Sequence, residues 1–362
     1  MAVIRNGLIL AFAAIVLVYA AMDSGSAHAQ QVPPASQPVA EPTPPIEEED
    51  DIIKIDTEAV NVLFTAQDRN RRLLLTLRPE DIQVYENGQL QEIVGFTKQV
   101  DLPLSLALLI DTSVSQERTL PEEKVAAISF LESVIRPAKD EVAVVSFAGE
   151  TMLELGMTSN LARLRRAVDG VRLEAPTGYI GGGVVAAGGI GTPPISGDNA
   201  ATRGSTALWD ALWITSEEVL GPAPEKTRRA IILLSDGVNF GGRKKLKEAV
   251  EAAQKAEAII YSIGIGDNYY NGVDKGALEK VSESTGGRAY FPRDERDLRD
   301  AFRQIQEEMR SQYLVAYEPT NTALDGSYRK IEIKLANSEL AKQKVRITHR
   351  EGYFAKNAQD RK

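Results

Sequence analysis

The chain of 362 residues contains no cysteine. Disulfides, thiolate nucleophiles, zinc–thiolate sites and a lipid anchor on an amino-terminal cysteine are therefore excluded. Histidine is nearly absent too, with only His28 and His349. A Ser-His-Asp hydrolase would have to recruit His349 from a β-type stretch near the carboxyl end, and no G-x-S-x-G elbow supplies its nucleophile. Excess positive charge is also missing. The formal net charge is −9, and no basic cluster is large enough to offset it, which argues against a general nucleic-acid binder. The one basic run, Arg243, Lys244, Lys245 and Lys247, opens a predicted helix and reads as its solvated face. A phosphate-binding loop is lacking as well, since no G-x-x-x-x-G-K-S/T occurs and no strand–helix pair brackets a G-x-G-x-x-G.

What is present begins with an export signal. Arg5 supplies a positive start, residues 7–21 are continuously apolar, and Ala27-His28-Ala29 is a small-x-small cleavage site before Gln30. Residues 1–29 thus read as a signal peptide. The alternative is an uncleaved anchor, for which the stretch is short against the about 20 apolar residues of a span. Either way the remainder is expected outside the cytoplasm, periplasmic or extracellular, with membrane contact only through the transient signal. Residues 30–51 are rich in Pro, Ala and Glu, cannot bury a core, and are expected to form a disordered tether.

Residues 52–100 read as strands. Asn87-Gly88 between two β-type runs is a hairpin signal, because a type I′ turn needs positive φ at both central positions. Between 101 and 310 the pattern changes. Short apolar runs at 104–110, 142–147, 231–234 and 259–263 alternate with helical patterns at 122–135, 160–171, 206–220, 243–256, 275–284 and 297–309. Runs apolar on both faces suit parallel strands covered by helices on each side. The fold class is α/β, a doubly wound, mostly parallel, Rossmann-like sheet. A short strand at 152–155 is expected antiparallel to 142–147. A glycine-rich stretch at 176–204 interrupts the alternation and reads as a surface insertion. Residues 311–355 return to β, and 356–362 form a polar tail. Each β segment is near the lower size limit for a core of its own. The two are therefore expected to pair into one β-sandwich, with the α/β domain inserted between them.

Ligands of a doubly wound sheet sit beyond the carboxyl ends of its strands. Two of those ends carry acids, Leu108-Leu109-Ile110-Asp111 and Leu233-Leu234-Ser235-Asp236-Gly237, and Gly204-Ser205-Thr206 opens an amphipathic helix between them. Asp111, Ser113, Ser115, Thr206 and Asp236 offer hydroxyl and carboxylate oxygens only, which suits a hard divalent cation, Mg²⁺ or Mn²⁺. A backbone that leaves the strand extended would point Asp111, Ser113 and Ser115 to one side. Neutral hydroxyls quench little of the metal charge, so an open position would remain for an anionic ligand group. Taken singly, Asp111 and Asp236 read as helix or turn caps. Asp210 is expected to face its own loop or solvent, and Trp209 to pack. Tyr269-Tyr270 is either an exposed turn or a partner contact.

This constellation resembles the metal-ion-dependent adhesion site of the von Willebrand factor type A domain family. That pattern is D-x-S-x-S after the first strand, a Thr in a later loop and an Asp ending a further strand; here Asp111-Thr112-Ser113-Val114-Ser115, the loop of Thr206 and Ser235-Asp236-Gly237 match it. The resemblance covers about residues 102–310. It implies direct metal contacts from Ser113, Ser115 and Thr206, direct or water-mediated contacts from Asp111 and Asp236, and a partner protein whose Asp or Glu completes the metal shell. Stretches 81–88 and 312–317 resemble bacterial exported proteins with this domain. The expectation is an exported, non-enzymatic module for Mg²⁺-dependent protein binding. Two other functions are weighed against it. One is a structural or assembly component of the cell envelope with an idle metal site. The other is a metal-dependent hydrolase, which lacks a general base beyond Asp111 and Asp236, both occupied by the metal. A haloacid dehalogenase-type phosphatase would need a second Asp where Ser113 stands.

Overall fold

Successive residues of a strand point to opposite faces, so a strand buried at every position must be covered on both sides. In the computed structural model, which describes residues 59–98, 101–174, 206–224, 226–266 and 272–357, Leu104–Asp111 is such a strand. The signal peptide, the Pro-rich tether, the insertion at 176–204, Ser205, Tyr269-Tyr270 and the end of the tail lie outside the described residues.

Strands β1 (Val60–Gln67), β2 (Ile82–Glu86) and β3 (Gln89–Lys98) come first. An alternating stretch follows: β4 (Leu104–Asp111), α1 (Leu120–Val134), β5 (Glu141–Phe147), β6 (Thr151–Thr158), α2 (Leu161–Gly170), α3 (Leu208–Ile214), β7 (Arg228–Ser235), α4 (Leu246–Lys255), β8 (Ala258–Gly264), α5 (Lys275–Ser284), β9 (Ala289–Tyr290) and α6 (Glu295–Arg310). Then come β10 (Tyr313–Glu318), β11 (Tyr328–Leu335), α7 (Ser338–Lys342), β12 (Arg346–His349) and β13 (Gly352–Phe354). No helix among the described residues is long and apolar enough to cross a membrane.

The six-stranded sheet has the order β6-β5-β4-β7-β8-β9. Its neighbours are parallel except β5 and β6, so the strand expected at 152–155 is present within a longer β6. Leu106, Leu108 and Ile110 of β4 pack into a core with α1, α2 and α6, while Ala107 and Leu109 pack into another with α3, α4 and α5. This two-sided cover explains the continuous apolar runs. The last helix, α6, is capped by Asp294, whose side chain accepts from the amides of Arg296 and Asp297. Its stripe of Leu298, Phe302, Ile305 and Met309 is buried, with the Phe302 ring 5.0 Å from that of Phe130. Burying one such side chain contributes about 1.5–3 kcal/mol. Strand order reverses between β4 and β7, the place where such sheets open a crevice at their carboxyl edge.

One helix starts later than its sequence pattern suggests. The basic run precedes α4, which begins at Leu246 rather than 243. The carboxylate of Asp210 accepts from the amides of Arg243 at 2.8 Å and Lys244 at 3.1 Å, satisfying those donors outside the helix.

The seven-stranded sheet has the order β12-β1-β10-β3-β2-β11-β13 and draws its strands from both ends of the chain. Gln89–Gln91 of β3 pair with β2, and Glu92–Lys98 pair with β10, so β3 passes from one half of the sheet to the other. The halves enclose one core, in which Val62, Phe64, Tyr313 and Val315 meet Val84, Ile331 and Ile333. The expected flanking β-sandwich is thus seen as a folded-over antiparallel sheet. Its hairpin turn has φ of 49° at Asn87 and 84° at Gly88, as a type I′ turn requires. Lys98 at the end of β3 faces Tyr313 at the start of β10. The two sheets are tied through Glu308 of α6, whose Oε1 accepts from Gln67 Nε2 of β1 at 2.9 Å and from the Tyr290 hydroxyl of β9 at 3.0 Å.

His349 carries a pH dependence. Its Nε2 lies 3.2 Å from the Ile333 amide and its Nδ1 2.7 Å from the Arg350 carbonyl. Nδ1 therefore donates and Nε2 accepts, a pattern only the neutral ring satisfies. Burial holds its pKa below the ordinary histidine value of 6.5. A lowered folded-state pKa contributes stability that is present above the unfolded value and is lost as pH falls below it, because the unfolded chain binds the proton first. Urea midpoints should therefore fall less for His349→Gln than for the wild type between about pH 7.5 and 5.5, the window set by the unfolded histidine pKa. Taking the difference between the two proteins cancels the titration of groups they share. An equal fall in both would remove His349 from the pH response.

Candidate metal centre

Asp111 is the last residue of β4 and is fully buried. Its Oδ1 accepts from the amide of Ser113 at 2.9 Å, and its Oδ2 accepts from the hydroxyl of Ser235 at 2.7 Å. Ser235 closes β7, and its oxygen accepts in turn from the amide of Gly237 at 3.0 Å. One carboxylate thus bridges the two strands on either side of the crevice.

The chain after Asp111 does not stay extended. Residues Val114–Gln116 form a single 3₁₀ turn. The carboxylate of Asp111 captures the amide two residues on, which bends the backbone at once. The turn still unites the two hydroxyls, with Ser113 Oγ 3.0 Å from Ser115 Oγ. Extended geometry was therefore the wrong route to the right proximity.

Asp236 follows β7 and is buried. Its Oδ1 accepts from the amide of Val238 at 2.9 Å, and the nearby hydroxyl of Ser115 favours its charged form. Gly237 next to it has φ 79°, and a Cβ there would lie 2.7 Å from Leu278 Cγ and 2.9 Å from the Asp274 carbonyl oxygen. Only glycine fits this sharp exit from the strand.

Thr206 is placed by its backbone. Its amide donates to the Phe240 carbonyl at 2.7 Å, and its carbonyl accepts from the Phe240 amide at 3.0 Å. The amide of the next residue, Ala207, donates to the Ala148 carbonyl at 2.6 Å, just beyond β5. The loop of Thr206 is thereby pinned to the loop after Asp236 and to the end of the strand beside β4. Hydrogen bonds join Asp111, Ser113 and Ser115 in sequence, the charge of Asp236 reaches Asp111, and Thr206 is held through main-chain bonds. Asp210 does not face its own loop, because its carboxylate holds the amides of Arg243 and Lys244. Trp209 is buried in the core shared with α4 and α5.

Charge in the crevice is one-sided. Burial, and then the negative charge of Asp236, pushes the carboxyl of Asp111 up to about 7. Burial also raises the carboxyl of Asp236. The turn-capping role expected of each Asp taken singly is met by one oxygen apiece, but capping does not require two acids to share one buried pocket. Among the described residues no three His, Cys, Asp or Glu side chains gather as metal ligands. A cation here would rest on two carboxylates and on hydroxyls, and this donor set fits a hard, oxygen-seeking dication.

Three residues at the crevice were not singled out from sequence. Ser235 clamps Asp111. Glu123 lies fully buried on the first turn of α1. Its spacing from Leu120, Ala127 and Phe130 places an acid on an apolar stripe, a signal that was there to be read. Phe240 is 71% exposed on the loop that grips Thr206.

Comparison with known proteins places part of this architecture. The model of the von Willebrand factor type A domain matches residues 195–304. A search of curated proteins returned no match. Among solved structures, proximal thread matrix protein 1 from the mussel byssus, described with a zinc-occupied MIDAS motif, is 19% identical with a TM-score of 0.45. That alignment covers 61% of this chain and 49% of the other, so the chain spans about half the length of that protein. BatB from Bacteroides thetaiotaomicron is 17% identical with a TM-score of 0.39, over 57% of this chain and 100% of the other. An aerotolerance-related membrane protein from Bacteroides fragilis is 16% identical with a TM-score of 0.40, over 57% of this chain and 98% of the other. The mostly parallel sheet and the order of its strands are in keeping with the match of residues 195–304 to the model of the von Willebrand factor type A domain.

Proposed function

We propose that the protein is an exported binding module. It holds a divalent cation, Mg²⁺ or Mn²⁺, on Asp111, Ser113, Ser115, Thr206 and Asp236, and uses it to grip an Asp or Glu of a partner protein. One observation carries the reading. Two buried carboxylates and a pair of touching hydroxyls converge at the strand-order reversal, and the leading influence of one acid on the other is repulsion. A bound dication would supply the missing positive charge and an electrophilic position open to an anionic group. The chain's own residues have separate tasks. Ser113, Ser115 and Thr206 offer neutral oxygen. Asp111 and Asp236 offer charge, and Ser235 fixes the orientation of Asp111. The proposed domain limits are 52–100 and 311–355 for the sandwich segments and 101–310 for the metal-bearing domain.

Phe240 gives the partner surface a second element. Its backbone is locked to Thr206, yet its ring is exposed. A rigidly presented aromatic beside a charged contact has the character of an interface anchor. Arg243 and Lys245, both exposed on the same loop, favour an acidic partner.

Affinity capture from envelope extract tests the reading. Capture should occur with Mg²⁺, vanish in excess EDTA and return with Mn²⁺. Phe240→Ala should weaken it by about tenfold or more, the cost of an anchor residue. Capture that ignores EDTA would sink the proposal and favour an envelope component with an idle site.

A further inference from the structure

Glu123 is a buried acid without a structural task. It stands on the inward face of α1, fully shielded from water, and neither carboxyl oxygen meets a hydrogen-bond partner. The hydroxyl beside it, that of Thr119, donates to Gln116 Oε1 at 2.8 Å, and a hydroxyl has one proton to give. The charges that reach Glu123 are all negative, namely Asp111, Asp236 and Glu122. Burial and those charges push its carboxyl up to about 8, so without a cation it stays mostly neutral at pH 7, and a nearby cation would favour its charged form. A group of this kind costs free energy where an apolar residue would not. Its neighbours on the same helix face, Leu120, Ala127 and Phe130, show what the position would otherwise hold.

The surroundings connect it to the crevice. Gln116 ends the turn that carries Ser115, and its Nε2 donates to the Ile265 carbonyl at 3.2 Å. Ile265 donates its own amide to the Ser235 carbonyl at 3.1 Å. Thr119 and Gln116 thus stand between Glu123 and the strand end that bears Ser235 and Asp236. We propose that Glu123 is an outer carboxylate of the cation site, which ligates nothing itself but adds a third negative charge that tightens the hold on a dication. The inference rests on the metal reading above and deepens it, because the five-residue pattern does not include this position. A site of two carboxylates and three hydroxyls is weakly charged for a dication, and a buried third charge strengthens it without occupying the coordination shell.

The test uses the full chain and MnCl₂. Mn²⁺ affinity is measured by titration calorimetry, and free Mn²⁺ is counted by electron paramagnetic resonance. Glu123→Gln and Glu123→Met should each bind Mn²⁺ about tenfold more weakly or worse, as loss of an outer-shell partner does. In EDTA their thermal midpoints should equal or exceed that of the wild type. A purely structural glutamate would give the opposite pattern, with a lower midpoint and unchanged affinity. Wild-type-like affinity in either folded variant overturns the role of Glu123 while leaving the metal reading intact. A wild type that takes up no Mn²⁺ overturns both.

Discussion

Asp111→Ala is expected to lower Mn²⁺ affinity by about 100-fold or more, beyond the range that loss of a supporting partner costs, and to abolish EDTA-sensitive partner capture. The fold should survive. Asp111 is not a packing residue of β4: Leu106, Leu108 and Ile110 hold one face of the sheet, and Ala107 and Leu109 the other. What the substitution removes is the bridge from the amide of Ser113 to the hydroxyl of Ser235. It also removes a buried acid repelled by Asp236, so the metal-free protein should lose little stability. Circular dichroism and a melt in EDTA measure that half of the expectation, and calorimetry with MnCl₂ measures the other. Undiminished Mn²⁺ uptake would show that the cation, if bound, sits elsewhere. A collapse of the fold without metal would mean that the bridge between β4 and β7 is structural first.

Glu86→Ala should give the largest loss of stability, about 3–5 kcal/mol, the cost of breaking a buried charged pair and leaving its partner uncompensated. Glu86 closes β2 and is almost fully buried. Its Oε2 accepts from the hydroxyls of Tyr317 at 2.8 Å and Tyr353 at 2.9 Å, and its Oε1 lies 3.5 Å from Arg329 Nη1. Arg329 is equally buried and also donates to the carbonyls of Asn321 and Ala323. One side chain therefore ties β2 to β10, β11 and β13, elements from the far end of the chain. Its removal would strand a guanidinium and two phenols in the sandwich core. Urea unfolding of the full chain gives the magnitude, and hydrogen exchange should locate the loosening in β1–β3 together with β10–β13. Exposed pairs such as Arg303–Asp300 serve as controls, since surface ion pairs contribute little. A change no larger than theirs would mean that the network is incidental.

The contrast between these residues shows what a linear reading can reach. Parallel strands buried on both faces leave apolar runs, and β4, β5, β7 and β8 were visible for that reason. Asn87-Gly88 was visible because few residues accept its backbone angles. Asp111 and Asp236 were visible because an acid that ends an apolar run is conspicuous. Other features depend on partners remote in sequence. Asp210 caps amides 33 residues away, and Glu86 meets Tyr317 across 231 positions. Neither pairing leaves a local trace. The bend after Asp111 depends on which amide its carboxylate captures, a choice between strand and turn that residue spacing does not make. The late start of α4 has the same origin, since the donors at Arg243 and Lys244 were claimed by another loop.

The pairing of Lys98 with Tyr313 has a consequence for how such a chain is put together. Everything from 99 to 312 departs and returns at adjacent places in one antiparallel ladder, so that span is topologically a single, very long β-hairpin loop. Replacing it with a two-residue turn would leave the remaining strands their neighbours and register. The half that carries Asp111 and Asp236 is thus a cassette clipped into a host sheet, exchangeable in principle for another cargo without rethreading the scaffold that carries it.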